Sequence, residues 1–247
     1  MMPSGNTILI TGGGTGIGRA LAHRFADQGN TVIVTGRTET SLDEAIVGRD
    51  NMVSYTLDIA DPIAIEAFGR FVIERHPTLN VLINNAGIMR SEDLSRARNL
   101  DDAEATVVTN LLGPIRMANA LVEHLVATDG AAIVNVTSGL AFVPLVSTPT
   151  YNATKAALHS YTLSLRAQLD GQVEIIELAP PAVQTDLTPG QSTREGYLPL
   201  DAFIDEAMAL LAHAPTPTEV LVERVKFLRN AEAEGRFDAA MAALNTH

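Results

Sequence analysis

Tyr151 and Lys155 lie four apart in Tyr-Asn-Ala-Thr-Lys. On a helix that spacing stacks both side chains on one face. A phenol titrates near ~10 in water, so proton exchange at neutral pH needs help. A nearby ammonium stabilises the phenolate and supplies that help. The pair can therefore act as an acid/base unit, but the same spacing is common on helices, and its meaning depends on what accompanies it.

Upstream, Thr11-Gly12-Gly13-Gly14-Thr15-Gly16-Ile17-Gly18 joins an aliphatic run to a segment with helical spacing. Glycines at such a turn let the backbone approach a pyrophosphate at the helix N-terminus. The spacing Gly-x-x-x-Gly-x-Gly differs from the more familiar Gly-x-Gly-x-x-Gly; Gly12, Gly14, Thr15, Gly16, Ile17 and Gly18 are the candidate contacts. About 20 residues beyond such a turn, an acidic residue suits a ribose 2′-hydroxyl and an arginine suits a 2′-phosphate. Here the chain reads Thr35-Gly36-Arg37-Thr38, so Arg37 and Thr38 favour NADP(H) over NAD(H).

These groups need a frame. Thr7–Thr11, Thr31–Thr35, Met52–Leu57, Asn80–Asn84, Ala131–Thr137 and Val173–Leu178 are short runs of mostly β-branched or aliphatic residues without polar alternation. Such runs suit strands buried on both faces. Gly16–Gln28, Asp61–Arg75, Asp101–Val126 and Pro149–Leu169 have helical spacing. The alternation predicts an α/β fold: a doubly wound, Rossmann-type parallel sheet in a three-layer α/β/α single domain over residues 1–247. The Pro/Gly-marked stretch Pro180–Leu200 holds a substrate loop at 182–199. Residues 200–247 are read as helical segments, Asp201–Ala212 among them, with a short strand at Glu219–Val222.

Asn110 carries a separate inference. Pro114 stands four residues later in Asn-Leu-Leu-Gly-Pro and has no N–H for the Asn110 carbonyl. In a helix that carbonyl is free to hold a water beside Lys155 and extend a proton path.

Composition narrows the partners. Against 17 basic residues stand 29 acidic ones, a net charge of −12, which repels nucleic acid and anionic lipid. There is no cysteine, which removes disulfides and thiolate catalysis and points to a reducing, cytoplasmic compartment. No signal peptide is legible at Met1–Asn6, and no apolar run approaches the ~20 residues of a membrane span. The six histidines are scattered, so no metal site is expected.

Taken together, Thr11–Gly18, Asn84-Asn85-Ala86-Gly87, Asn110, Ser138 and Tyr151 with Lys155 resemble the short-chain dehydrogenase/reductase family in its compact form, from about Thr7 to Leu187. The resemblance implies Tyr151 as general acid/base, Lys155 binding the nicotinamide ribose and lowering the Tyr151 pKa, and Ser138 holding the substrate oxygen. It also implies Asn110 in the proton relay. Asn84, Ala86 and Gly87 would line the adenosine and ribose side and stabilise the sheet; Asp58 and Ile59 would meet the adenine, Asp58 having helix capping as its alternative. Val183 and Thr185 would take the carboxamide, although Pro181 replaces the family's usual glycine and stiffens that loop. The tail, with Lys155-Ala-Ala-Leu-His-Ser-Tyr, looks like a subgroup labelled D-alanine-export-type oxidoreductases.

The implied substrate is a small carbonyl/alcohol compound. Leu140, Phe142, Val143, Leu145 and Leu187 would form an apolar wall, and Arg90 and Arg194 would meet an anion. A homodimer through the helices bearing Asn110 and Tyr151 is implied, with a tetramer through the altered last strand as the larger alternative. The other functional classes are a non-catalytic NADP(H)-binding regulator and an epimerase or dehydratase of the same fold.

Overall fold

The aliphatic runs become β1 (Thr7–Thr11), β2 (Thr31–Gly36), β3 (Met52–Thr56), β4 (Leu79–Asn84), β5 (Ala132–Val136), β6 (Glu174–Leu178) and β7 (Glu219–Val220). The computed structural model describes residues 1–246. Its strands form one sheet ordered β3-β2-β1-β4-β5-β6-β7, with every pairing parallel. Along each strand alternate residues serve opposite faces. Ile8, Ile10, Val32, Val34, Ile176 and Leu178 enter one core layer, whereas Leu9, Ile33 and Ile175 enter the other. Two apolar layers explain why the strands read as continuous hydrophobic runs.

The helices are α1 (Gly16–Asp27), α2 (Glu39–Ile46), α3 (Pro62–Arg75), α4 (Asp101–Val107), α5 (Gly113–Val126), α6 (Pro149–Gln168), α7 (Leu200–Leu211), α8 (Lys226–Arg229) and α9 (Phe237–Leu244). Leu21, Ala22, Phe25 and Ala26 form the buried stripe of α1, spaced as one helix face requires. Asp61 caps α3, accepting from Ile63 N at 2.8 Å and Ala64 N at 3.1 Å, with Pro62 in the first turn. Asp58 is therefore not the helix cap; its carboxylate accepts from Ala60 N instead.

Three expectations change. The short helix α2 was not anticipated: it buries only Leu42 and Ala45, too little to mark a period. The helix expected over Asp101–Val126 is interrupted by a π-helical turn at Val108–Leu112, where Gly113 N reaches Val108 O. Pro114 cannot donate to the carbonyl four residues back, and the widened turn accommodates that missing bond. The last strand is cut to two residues and passes into a 3₁₀ turn at Glu223–Val225, so it adds little edge to the sheet.

Beyond that turn the C-terminal segment folds back on the Ser138–Ser147 region. Val143 is buried with Ala231 and Ala240, and Asn245 accepts from Val146 N at 2.8 Å while donating to Pro144 O at 3.1 Å. Among the described residues no helix is long and apolar enough to cross a membrane.

Leu82, at the centre of β4, has no exposed surface. Its truncation leaves a cavity in a layer with no slack, so Leu82→Ala should lose about 2–5 kcal/mol, read as a lower midpoint in urea unfolding.

Candidate active site

The chain leaves β3 and returns to the sheet on the far side of β1 as β4. Loops from β1 and β4 thus diverge at their carboxyl ends and open a crevice there. A cleft of about 410 Å³ occupies this place.

Two side chains stitch the crevice. Thr11 Oγ1 accepts from Asn85 N and Ala86 N, both at 3.1 Å. Asn85 Nδ2 donates to Thr11 O at 2.9 Å and Gly12 O at 3.2 Å. The glycine turn is thereby pressed onto the β4 loop: a Cβ at Gly12 would stand 2.8 Å from Ala86 Cα, at φ +66°, and one at Gly18 would stand 2.2 Å from Gly12 O. Gly18 is a packing residue beneath the turn, whereas Gly12, Gly14, Thr15, Gly16 and Ile17 line the cleft. No side chain caps the N-terminus of α1, and its first turn carries no acidic residue. Its leading N–H groups are the kind that meet an anion.

Arg37, Thr38, Asp58 and Ile59 line the cleft from the ends of β2 and β3, joined by Ser41 and Leu42 of α2. Those two were not foreseen because α2 itself was not. Ala86 and Gly87 line it as well, but Asn84 does not. The Asn84 side chain is buried, donating to Asn135 Oδ1 at 2.9 Å, and its own Oδ1 has no partner. Asn85, the next residue of the same motif, faces the cleft in its stead. Strand alternation decides between the two.

At the other side of the crevice stand Ser138, Tyr151 and Lys155, each under 8 % exposed. Ser138 follows β5 and caps a 3₁₀ turn, accepting from Leu140 N at 3.1 Å. Tyr151 and Lys155 sit in the first two turns of α6. Lys155 Nζ donates to Val136 O at 2.8 Å and stands 5.6 Å from the Tyr151 ring centre. Burial pushes the Tyr151 phenol up to about 12, the Ser138 hydroxyl pulling the other way, and pushes the Lys155 ammonium down to about 8. The lowered phenol expected from the pair is thus not what their surroundings produce. Desolvation disfavours both charged forms, and Lys155 is aimed at a carbonyl rather than at the phenol.

Asn110 is fully buried behind the cleft. Its Oδ1 accepts from Ile88 N and its Nδ2 donates to Ile88 O, each at 2.8 Å. A Cβ at Gly87 would lie 3.3 Å from Asn110 Oδ1 and 3.8 Å from Lys155 Nζ. The carboxamide side chain thus fixes the backbone after β4 right beside Lys155.

Val183 and Thr185 line the cleft with Pro181 and Leu187. Gln191, not foreseen, holds them by donating to Val183 O at 2.9 Å and Thr185 Oγ1 at 3.1 Å. The apolar wall is mostly absent: of its five residues only Leu187 lines the cleft. Val143 is turned into the C-terminal cluster, and Phe142 packs edge-on against His159 at 5.0 Å. Of the two arginines, Arg90 lines the cleft and Arg194 does not; Arg194 stacks on Tyr197.

Behind Ser138, Glu177 is fully buried, accepting from Thr137 Oγ1 and meeting His159 Nδ1, both at 2.7 Å. Glu219, its register partner on β7, completes a trio close enough to share a cation. Arg229 supplies a positive charge there, donating twice to Glu219 at 3.0–3.1 Å.

Residues 6–196 match the short chain dehydrogenase family. An uncharacterized oxidoreductase, DltE, of Bacillus subtilis (strain 168) is 39% identical over 252 residues, covering 100% of this chain and 99% of that one. This agrees with the subgroup that the tail suggests. Sulfoacetaldehyde reductase 2 of Chromohalobacter salexigens is 31% identical over 93% of this chain and 96% of its own. A crystal structure of a short chain dehydrogenase from Burkholderia cenocepacia J2315, in complex with NADP, superposes with a TM-score of 0.83 at 25% identity, all of both chains being covered. By a family match over most of its length and by these relatives, the chain belongs to the short-chain dehydrogenase family of oxidoreductases.

Proposed function

We propose that this chain interconverts a carbonyl and an alcohol by exchanging hydride with NADP(H) in the cytoplasm, with Tyr151 handling the proton. One observation carries the reading: a single cleft is lined both by the glycine turn with Arg37 and by Ser138, Tyr151 and Lys155. Strand order sets the two groups on opposite sides of β1 and β4, as a molecule with a phosphate-bearing end and a reactive end requires.

The residues fit that cofactor. The uncapped start of α1 lines the cleft beside Gly12, where a side chain would collide with Ala86. Arg37 suits a 2′-phosphate, and the Burkholderia relative is itself complexed with NADP. When bound, NADP(H) supplies or accepts the hydride. For reduction, the carbonyl carbon gains the hydride and its oxygen gains one proton, giving the alcohol. Ser138 would orient that oxygen, and the neutral Tyr151 phenol would donate the proton. Lys155 would hold a ribose hydroxyl and, through its charge, favour the phenolate left behind. Asn110 positions Ile88 and Gly87 beside Lys155. Its backbone carbonyl, in the widened turn before Pro114, is the proposed resting point for a relay water.

Pairing of two copies through α4, α5 and α6 is part of the same reading. Val107 of α4, Val126 of α5 and Leu163 of α6 are exposed, as is Leu100 just before α4, and such a pairing would cover them. Leu163→Glu should halve the mass measured by light scattering; an unchanged mass would place the contact elsewhere.

Tyr151→Phe should cost 10²-fold or more in kcat with NADPH and a carbonyl panel, the order lost with a general acid, while NADPH still binds. Retained turnover would overturn the mechanism. Lys155 carries its charge below about 8 and loses it as pH rises through that value, whereas the phenol keeps its proton until about 12. The reductive kcat/KM for NADPH should therefore fall above pH ~8. A profile flat to pH ~10 would show that the charge on Lys155 is not needed.

Arg37→Glu should weaken NADPH far more than NADH, by roughly 10- to 100-fold for the loss of a charged contact. Equal changes in both dissociation constants would remove Arg37 from phosphate recognition.

A further inference from the structure

The segment from Ile88 to Glu92 is a short strap tied down at both ends. At one end Asn110 grips both backbone groups of Ile88. At the other, Glu92 N donates to Ser147 O at 2.9 Å. The Glu92 carboxylate accepts from Thr150 N at 3.0 Å and Thr150 Oγ1 at 2.9 Å, immediately before Tyr151. Arg98 pairs with the same carboxylate. Burial pushes the Glu92 carboxyl up, but the bonds from Arg98 and Thr150 outweigh it and hold it below its ordinary value. The strap thus runs from beside Lys155 to beside Tyr151, and Arg90 is its midpoint.

The charges around this strap are unevenly matched. Arg98 is hydrogen-bonded to Glu92, and Arg96, loosely paired with Asp93 at 3.4 Å, lies outside the cleft lining. Arg90 has only Asp102, whose carboxylate is 3.6 Å from Nε and so too far for a hydrogen bond. One further long contact, 3.4 Å, runs to the adjacent Met89 carbonyl. A guanidinium offers five N–H donors, and most of these are unused on a side chain that is half exposed yet lines the cleft.

The other charges of the lining belong to the opposite part of the cleft or are already engaged. Arg37 and Asp58 sit at the ends of β2 and β3, and Asp186 follows Thr185, whose side chain abuts Gly16 of the glycine turn. Lys155 is bonded to Val136 O. Among the described residues, Arg90 is the cation left to face a substrate, on a chain whose net charge of −12 otherwise repels anions.

We propose that Arg90 anchors an anionic group of the substrate, so that the carbonyl compound taken by this cleft carries a carboxylate, sulfonate or phosphate. The inference rests on the hydride-transfer reading of the same site. The planar fork of an arginine suits these oxyanions, and a strap pinned at both ends presents it without loss of loop order. Anchoring at Arg90 leaves the carbonyl to be turned toward Ser138 and Tyr151.

The test compares matched carbonyl compounds with NADPH: 3-oxobutanoate against its methyl ester, and glyceraldehyde 3-phosphate against glyceraldehyde. The charged member of at least one pair should be turned over with a kcat/KM roughly 10- to 100-fold higher, the range for a hydrogen bond to a charged group. Whichever pair shows the larger ratio tells carboxylate from phosphate. Arg90→Gln should collapse that preference to near unity by lowering turnover of the charged compound, mainly through KM.

No preference in the wild-type protein, or an equal fall for charged and neutral members, would overturn the anchor. So would a matching rise in the dissociation constant of NADPH, which would assign Arg90 to the cofactor. Calorimetry of butanoate and of inorganic phosphate with the protein saturated in NADP⁺ judges the anchor without turnover: binding of at least one should weaken in Arg90→Gln. If nothing is turned over yet that binding depends on Arg90, the hydride-transfer reading fails and the anchor stands. If neither anion binds in an Arg90-dependent way, the anchor fails whatever the protein turns over.

Discussion

The constraint on which the site depends is the seam between β1 and β4. Here the strand order reverses, and here Asn85 and Ala86 of the β4 loop donate four hydrogen bonds to Thr11 and Gly12 at the end of β1. A crevice opens at such a place because adjoining loops leave the sheet in opposite directions. Without the seam the glycine turn would be an exposed, entropically costly loop. With it, Gly12 is pressed onto Ala86 and Gly18 under Gly12, and the start of α1 faces the cleft.

From the seam, order passes along the β4 loop. Gly87 is adjacent to Asn110 and Lys155, Ile88 is held by Asn110, and Glu92 is held by Thr150 and Ser147. Three separate elements, β4, the π-helical turn and α6, are thereby locked around Tyr151 and Lys155. The π-helical turn has a local cause in Pro114 and a distant consequence, since it sets where the Asn110 side chain points. Burying Tyr151 and Lys155 raises one pKa and lowers the other. That cost is the usual one for keeping ionisable groups out of water, and the surrounding packed strands bear it.

The C-terminal segment supports the same site from outside. A Cβ at Gly139 would lie 2.9 Å from Leu228, and Asn245 holds the backbone at Pro144 and Val146. The buried Glu177, bonded to Thr137 and His159, fixes the residue before Ser138. The tail thus contributes to the site by packing rather than by extending the sheet, because β7 is only two residues long.

Much of this was legible in the residues alone. Doubly buried strands declare themselves as aliphatic runs, a glycine turn between a strand and a helix declares a close approach, and Tyr151 with Lys155 declares a shared helix face; each is a local property of neighbouring residues. What only the tertiary structure decided concerns direction and distance. Asn85 rather than Asn84 faces the cleft because the strand's pleat turns one in and the other away. Asp61 rather than Asp58 caps α3, since the first helical residue is fixed by the fold. Val143 is away from the expected substrate wall because it packs into the C-terminal cluster, and Phe142 because it packs on His159 with Arg229 over its ring. Arg90 and Arg194 are alike in sequence, and only the strap's two tethers put one at the cleft while a tyrosine holds the other. Contacts between residues far apart in the chain set these outcomes, and no spacing along the sequence encodes them.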